Sequence, residues 1–224
     1  MREIVIVGAR GHAKDLIGYL EADGGYRILC LMDEIGASEV LGYEVLSPDG
    51  ADPPCRDAFL AIGMPRAKVA VLAQYARFGF RWQSFVDRRA FVSPRVRLGA
   101  GCILAPFAVL SGDARLGDHV YIAPYAGAGH DSTIGDCCSL LPYSGLGGGA
   151  RLGERSVLGA GALVFPGVTI GADVRVAVGS NVRGYLPDGV LARGDPARVV
   201  TQEDAGVPVG GRSGDRTGDE LHQR

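Results

Sequence analysis

The sequence predicts a mainly β chain, a parallel β-helix of hexapeptide repeats preceded by a small α/β unit. Three observations predict it. From Val86 to Val182 an aliphatic residue stands at every sixth position without an insertion, through seventeen hexads that include Leu98, Leu116, Ile134, Leu152 and Ile170. Sixteen of these residues are Val, Leu or Ile, and Ala128 is the exception. The residue two places earlier is small or β-branched, as in Ser84, Ala90, Cys102, Ala108, Ser132 and Ser180. Ahead of the repeat, the pattern changes to strand, glycine turn and helix.

In the front segment, Glu3-Ile4-Val5-Ile6-Val7 reads as a buried strand. Gly8-Ala9-Arg10-Gly11-His12-Ala13 makes the turn, and Leu16, Ile17 and Leu20 then mark one helical face. Arg27 to Met32 is a second strand, ending at Asp33. Ala58 to Gly63 is a third, and Pro65 opens a helix that runs to about Phe78. Such a unit brings an anion to a helix N-terminus. Asp33 follows at about the distance at which Rossmann units hold a ribose hydroxyl. Gly-x-x-Gly-x-Ala is not the full dinucleotide fingerprint, however, and some eighty residues are too few for a two-half fold. A Rossmann-like nucleotide or nucleotide-sugar pocket is one reading, and a cap whose glycines serve only the turn is the other.

Period six fits neither an α-helix nor a free strand, so each hexad makes one short strand and one turn. Three hexads close a triangular coil, and coils stack at an inter-strand spacing of roughly 4.8 Å. Between five and six coils give a rod about 27 Å long. The aliphatic position fills the interior, and the small residue before it fits where the wall bends. Glycine follows the aliphatic residue in eight hexads, which suits backbone that turns sharply or takes positive φ. Open ends call for capping segments. Uncharged outward residues (Pro106, Phe107, Tyr121, Pro124, Tyr125, Leu141, Tyr143) exceed what a solvated rod needs, and predict a homotrimer.

Composition excludes several classes. The chain has 224 residues, 47% of them hydrophobic, with 23 Lys+Arg against 25 Asp+Glu and a formal charge of −2. No basic run points to nucleic acid or a membrane surface. No apolar stretch reaches membrane-spanning length, and Met-Arg-Glu before a short strand is not a signal peptide. The five cysteines show no metal-ligand spacing. With Cys102 and Cys138 at inward positions, they suit a reduced cytoplasmic protein.

The repeat departs most at Gly127-Ala128-Gly129-His130-Asp131-Ser132, the hexad with alanine inside. Gly148 lies one coil on, within Gly147-Gly148-Gly149-Ala150, and Pro166 one coil further, preceded by Leu158-Gly159-Ala160-Gly161-Ala162. A strip without side chains, running up the rod from a histidine, leaves room for a long thin ligand. Imidazole accepts a proton from an attacking hydroxyl or amine near neutral pH, and an adjacent carboxylate orients the ring. An N–H from the glycines could hold the oxyanion of an acyl-transfer intermediate. His119, after Gly117-Asp118, reads as a solvated turn residue. His12 lies in the front turn and His222 in the polar tail.

These residues resemble the sialic acid O-acetyltransferase (NeuD) family of sugar O- and N-acyltransferases, which includes bacillosamine-pathway N-acetyltransferases. The resemblance rests on Val7-Gly8-Ala9-Arg10-Gly11-His12-Ala13-Lys14, Leu31-Met32-Asp33-Glu34, Ala61-Ile62-Gly63, Gly129 to Asp136, Leu158 to Ala162, and Gly194-Asp195-Pro196-Ala197-Arg198-Val199-Val200. It implies a left-handed β-helix, acetyl-CoA as donor along the rod at a trimer interface, no metal, and a sugar or nucleotide-sugar acceptor partly on the front unit. It further implies His130 as general base with Asp131 as its acidic partner. Gly148, Ala160 and Ser139 would serve the donor, and Gly8, Gly11, Asp33 and Gly63 would line the acceptor pocket. Arg10 stands where the family usually has a third glycine, Pro124 falls near a site where many members are polar, and Ser139 replaces a second histidine.

The boundaries expected are residues 1–82 for the acceptor-binding unit, 83–186 for the β-helix, 187–203 for a capping segment and 204–224 for a disordered tail. The competing reading is a hexapeptide-repeat protein that binds ligand or acts as a scaffold without chemistry. A γ-class carbonic anhydrase needs three metal-binding histidines, and this rod holds two.

Overall fold

The computed structural model describes residues 1–200; the tail expected to be disordered, with His222, lies outside the described residues. The front unit is one sheet with two helices. Its elements are β1 (Arg2–Val7), α1 (Gly11–Asp23), β2 (Tyr26–Met32), β3 (Glu39–Val40), β4 (Tyr43–Leu46), β5 (Asp57–Leu60), α2 (Pro65–Tyr75) and β6 (Arg81–Trp82). The strand order is β3-β4-β2-β1-β5-β6, and every pairing is parallel except β3 with β4. Ile4 to Val7 are fully enclosed because β1 is central and covered on both faces. Helix α1 buries Ala13, Leu16, Ile17 and Leu20, one stripe at helical spacing, and ends at left-handed Gly24. Helix α2 starts with Pro65 in its first turn, as expected, and passes into a 3-10 turn, Ala76–Phe78.

From Phe85–Val86 to Asn181–Val182, seventeen two-residue strands (β7 to β23) stack into three parallel sheets. From β7 to β20 every strand pairs with the one eighteen residues on, for example Tyr121↔Ser139 and Gly127↔Gly145. The cross-section is therefore the triangle that three hexads per coil demand. The first face begins with Phe85–Val86, the second with Phe91–Val92 and the third with Arg97–Leu98.

The aliphatic residues fill the interior: Leu104, Leu110, Ile122, Leu140 and Leu158 are fully buried. Val86, in the first coil, is 40% exposed, since no coil lies beneath it. The far end is covered. Leu186 bridges to Ile170, β24 (Leu191–Gly194) extends the first face, and β25 (Ala197–Val199) folds back on it.

The glycine expectation needs correcting. The left-handed residue of each corner stands three places after the aliphatic one, and is often not glycine: Asp113, His119, Asp131, Cys137 and Asp173 all have φ between 56° and 62°. Glycine directly after the aliphatic position answers a different need. A Cβ on Gly129 would lie 2.6 Å from the Gly148 nitrogen, so the next coil leaves no room for one.

The front unit packs on the first face. Phe85, Ile103, Tyr121, Ser139 and Val157 point outward there, yet none is more than 7% exposed. Tyr26 and Phe59 meet Phe85 edge-on at ring separations of 6.2 and 6.4 Å. One hydrophobic core thus runs from Ile4 and Leu16 through Phe85 into Leu104 and Leu140. The second face has no such cover: Phe91, Val109 and Leu163 are 60%, 46% and 47% exposed.

Candidate active site

His130 and Asp131 form the turn between the second and third faces. Asp131 takes the left-handed position (φ 57°), which asparagine and aspartate tolerate best among residues with a Cβ. Its amide donates to the Gly112 carbonyl at 3.0 Å, which pins the turn to the coil below. From that position its Oδ2 reaches His130 Nδ1 at 2.8 Å. The carboxylate sets the tautomer: Nδ1 carries the proton and Nε2 presents its lone pair. Both side chains are exposed, 74% for His130 and 66% for Asp131.

The glycines seen one coil on have a definite function. A Cβ on Gly148 would come within 2.5 Å of His130 Nε2, so the imidazole lies in the space that this glycine leaves. Gly149 N–H donates to the His130 carbonyl at 2.7 Å. Beside this edge, a groove of about 530 Å³ crosses the second face from Gly129, Gly147 and Phe165 to Tyr125 and Tyr143. The floor is low where Gly127 and Gly145 replace outward side chains. Phe107, Tyr125 and Tyr143 stack at successive separations of 5.0 Å along the corner between the first and second faces.

A second cavity, of about 360 Å³, opens in the front unit and is lined by Gly8, Arg10, His12, Asp33, Gly63 and Tyr75 among others. Gly8 is required twice over, by φ of 109° and by Ala61 O, which a Cβ would meet at 2.8 Å. Asp33 closes the glycine turn, accepting from Ala9 N at 2.8 Å and Glu34 N at 2.7 Å. His12 packs edge-on to Tyr121 at 4.3 Å, and its Nε2 is buried without a partner. Burial, and secondarily the nearby Lys68 charge, lowers the His12 pKa to about 4.

A family model described as the PglD N-terminal domain matches residues 3–75. PerB from Caulobacter crescentus, solved with CoA and GDP-perosamine, is 38% identical over 90% of this chain and 98% of its own, with a TM-score of 0.84. The chain belongs to the NeuD-type sugar acetyltransferase family. The acetyltransferase domain of PglB from Neisseria gonorrhoeae FA1090 is 27% identical over 89% of this chain and 100% of its own, with a TM-score of 0.82. WeeI from Acinetobacter baumannii AYE shares the fold at 22% identity over 89% and 100% of the two chains, with a TM-score of 0.82. No curated protein matches the chain.

Within this NeuD-type chain, the residues expected at the site separate into groups. His130, Asp131 and Gly148 come together. Ala160 does not join them. It lies five hexads after His130, which is not a whole number of coils, so it falls on the corner between the first and second faces. No single strip runs from the histidine to it. Ser139 also lies apart from His130: it is fully buried on the first face, its hydroxyl donating to Gly63 O at 2.7 Å and accepting from Lys68 Nζ at 2.9 Å. Gly8, Asp33 and Gly63 line the front cavity, whereas Gly11 is an exposed first residue of α1 outside that lining.

His119 is not solvated. Trp82 meets its ring edge-on at 5.5 Å, Nδ1 is buried without a partner, and burial lowers its pKa. Lys68 was missed by sequence reasoning altogether, because a lysine on a helix ordinarily marks its solvated face. Among the described residues there is no cluster of His, Cys, Asp and Glu suited to a metal, and no helix is long and apolar enough to cross a membrane.

Proposed function

We propose that the protein transfers the acetyl group of acetyl-CoA to the amine of a nucleotide-activated amino sugar. The observation that carries the chemistry is the His130 Nδ1–Asp131 Oδ2 contact of 2.8 Å on an exposed edge of the rod, with Nε2 free to accept a proton. PerB, the 38% identical relative, was solved with CoA and GDP-perosamine, which supports an amino sugar linked to a nucleotide.

The residues act in a simple order. His130 Nε2 accepts the proton of the amine as its nitrogen bonds to the thioester carbonyl carbon. Asp131 stabilises the imidazolium that results. When the C–S bond breaks, the imidazolium returns the proton to the departing thiolate, so His130 ends neutral and free CoA leaves as a thiol. A positioned base of this kind contributes roughly 10²–10⁴ in rate. The side-chain-free Gly147-Gly148-Gly149 backbone leaves the thioester access to Nε2. The groove on the second face, about 530 Å³ with Val109, Leu146 and Leu163 in its lining, suits the pantetheine arm. Gly8, Asp33 and Gly63 would shape the acceptor end, where the nucleotide meets the turn before α1.

One protomer cannot bring these parts together. The front cavity adjoins the first face through Tyr121 and Ser139, while His130 stands on the edge opposite that face. A neighbouring copy must supply one of the two, and the exposed Val109, Leu163, Tyr125 and Tyr143 provide an apolar surface for it. The assembly we propose is a three-fold homotrimer. Five free cysteines, four of them buried, suit a cytoplasmic setting.

The test is a free-thiol assay with acetyl-CoA and a panel of nucleotide-linked amino sugars, free amino sugars and sialic acids. Turnover with a nucleotide-linked amine is the expected result. Thiol release that no acceptor stimulates would return the chain to a binding or scaffold role.

A further inference from the structure

The junction between front unit and rod contains a charged side chain that no step above uses. Lys68, on α2, is 2% exposed. Its Nζ donates to His119 O, Cys138 O and Ser139 Oγ, each at 2.9 Å. An ammonium has three protons, and here each has an acceptor on the rod. The Ser139 hydroxyl that receives one of them passes its own proton to Gly63 O at 2.7 Å. Gly63 lines the front cavity, and its Cα hydrogens face His12, with only 3.8 Å between a Cβ placed there and the His12 ring.

Lys68 is not itself among the residues lining that cavity, so it does not touch an occupant. Its three acceptors come from two successive coils of the rod, His119 in a turn of one and Cys138 and Ser139 at the start of a strand in the next, while its backbone belongs to α2, which begins two residues after Gly63. A buried ammonium is costly unless its hydrogen bonds are complete, and completing them fixes α2 in one position on the rod. Apolar packing of Phe85, Ile103 and Tyr121 holds the two parts together, but it tolerates sliding. Directional bonds from one amine do not.

We infer that Lys68, acting through Ser139 and Gly63, is a positioning residue for acceptor binding: it sets the floor of the front cavity against the rod. This rests on the front cavity being the acceptor site. The predicted signature is selective. Removing the relay loosens Gly63 and raises the acceptor KM, while the donor KM and kcat at saturating acceptor stay near wild type, since His130 and its groove lie on another edge.

Two variants test it. Ser139→Ala removes one hydroxyl from the relay and leaves Lys68 two of its acceptors. Its acceptor KM should rise about fivefold, the ordinary worth of one intramolecular hydrogen bond. Lys68→Met keeps the volume, removes the charge and should raise it further. The double variant should fall short of the sum of the two effects, because both act through one relay. An unchanged acceptor KM in Ser139→Ala, or equal changes in acceptor KM, donor KM and kcat, would overturn the inference. So would a double variant that sums the two effects. Should the wild-type enzyme turn over no acceptor, the proposed function fails separately. The relay is then read from amide exchange: faster exchange at residues 61–64 in Ser139→Ala, but not in Thr133→Ala, supports it, and equal exchange in both contradicts it.

Discussion

The imidazole of His130 rests over Gly148, one coil further along the rod, where a Cβ would stand 2.5 Å from Nε2. The coil spacing brings residues eighteen apart into register, so the sequence can place a ring at one level and an empty position at the next. Gly148 does not have a left-handed φ. Its backbone can therefore accept alanine without strain, and the three atoms nearest to the added Cβ all belong to the imidazole.

Gly148→Ala should accordingly fold and assemble as wild type while losing activity. A displacement of about 1 Å in a catalytic group costs on the order of 10²-fold in rate. The checks are thermal melting, with an unchanged midpoint expected, and kcat, with a fall of about that size. A drop in melting temperature with full kcat would show that Gly148 serves the fold and not the base.

His119→Ala should do the reverse. The ring is wedged between Trp82 and Gly101, whose Cβ would collide with it, so removal leaves a partly collapsed gap under the front unit. We expect a loss of about 1–2 kcal/mol in urea unfolding, in the usual range for a half-buried side chain. The value of kcat should change less than threefold. A large kcat loss at unchanged stability would move the chemistry to this histidine.

Acid should destabilise the protein through His12. The folded chain protonates this residue only near pH 4, whereas the unfolded chain takes the proton near 6.5. Unfolding therefore binds a proton between these values, and stability falls as pH drops from 6.5 towards 4. Between pH 7 and 5 the loss from this residue is roughly 2 kcal/mol. His12→Gln should flatten the corresponding part of a stability–pH curve. If the slope persists unchanged in that variant, another group carries it.

Assembly is tested on the second face. Val109→Asp and Leu163→Asp place charges on the exposed apolar strands, where a neighbouring copy would have to desolvate them. Sedimentation should show trimer for wild type and monomer for the double variant, with acetyl transfer lost in the monomer although His130 is untouched. An active monomer would refute the need for a neighbouring front unit.

The rod was legible because its interior is periodic: each of the seventeen strands ends on the aliphatic residue that marks its hexad. His130 stood out because Ala128 broke that period beside it. Distances along the rod were also available in principle. Ala160 was placed on the strip above His130 although five hexads do not divide into coils of three, so the count itself puts it on another corner. Other features were not legible. The β3–β4 pair is two and four residues long, too short for alternation to show. The burial of Lys68 and Ser139 and the packing of His119 arise where the front unit lies on the first face, between residues far apart in the chain, 51 positions for Lys68 and His119 and 76 for Gly63 and Ser139. Only the fold makes a helical lysine and a hexad turn into one enclosed network.

The most direct measurement is the kinetics of His130→Ala, with Thr133→Ala as an exposed control on the neighbouring third face. The imidazole projects from the rod, so its removal leaves no core cavity and the melting midpoint should hold. If His130 is the base, kcat falls by roughly 10²–10⁴ while acetyl-CoA affinity, measured by titration, stays within a few-fold of wild type. Turnover near wild type in His130→Ala, or an equal loss in Thr133→Ala, would contradict the account.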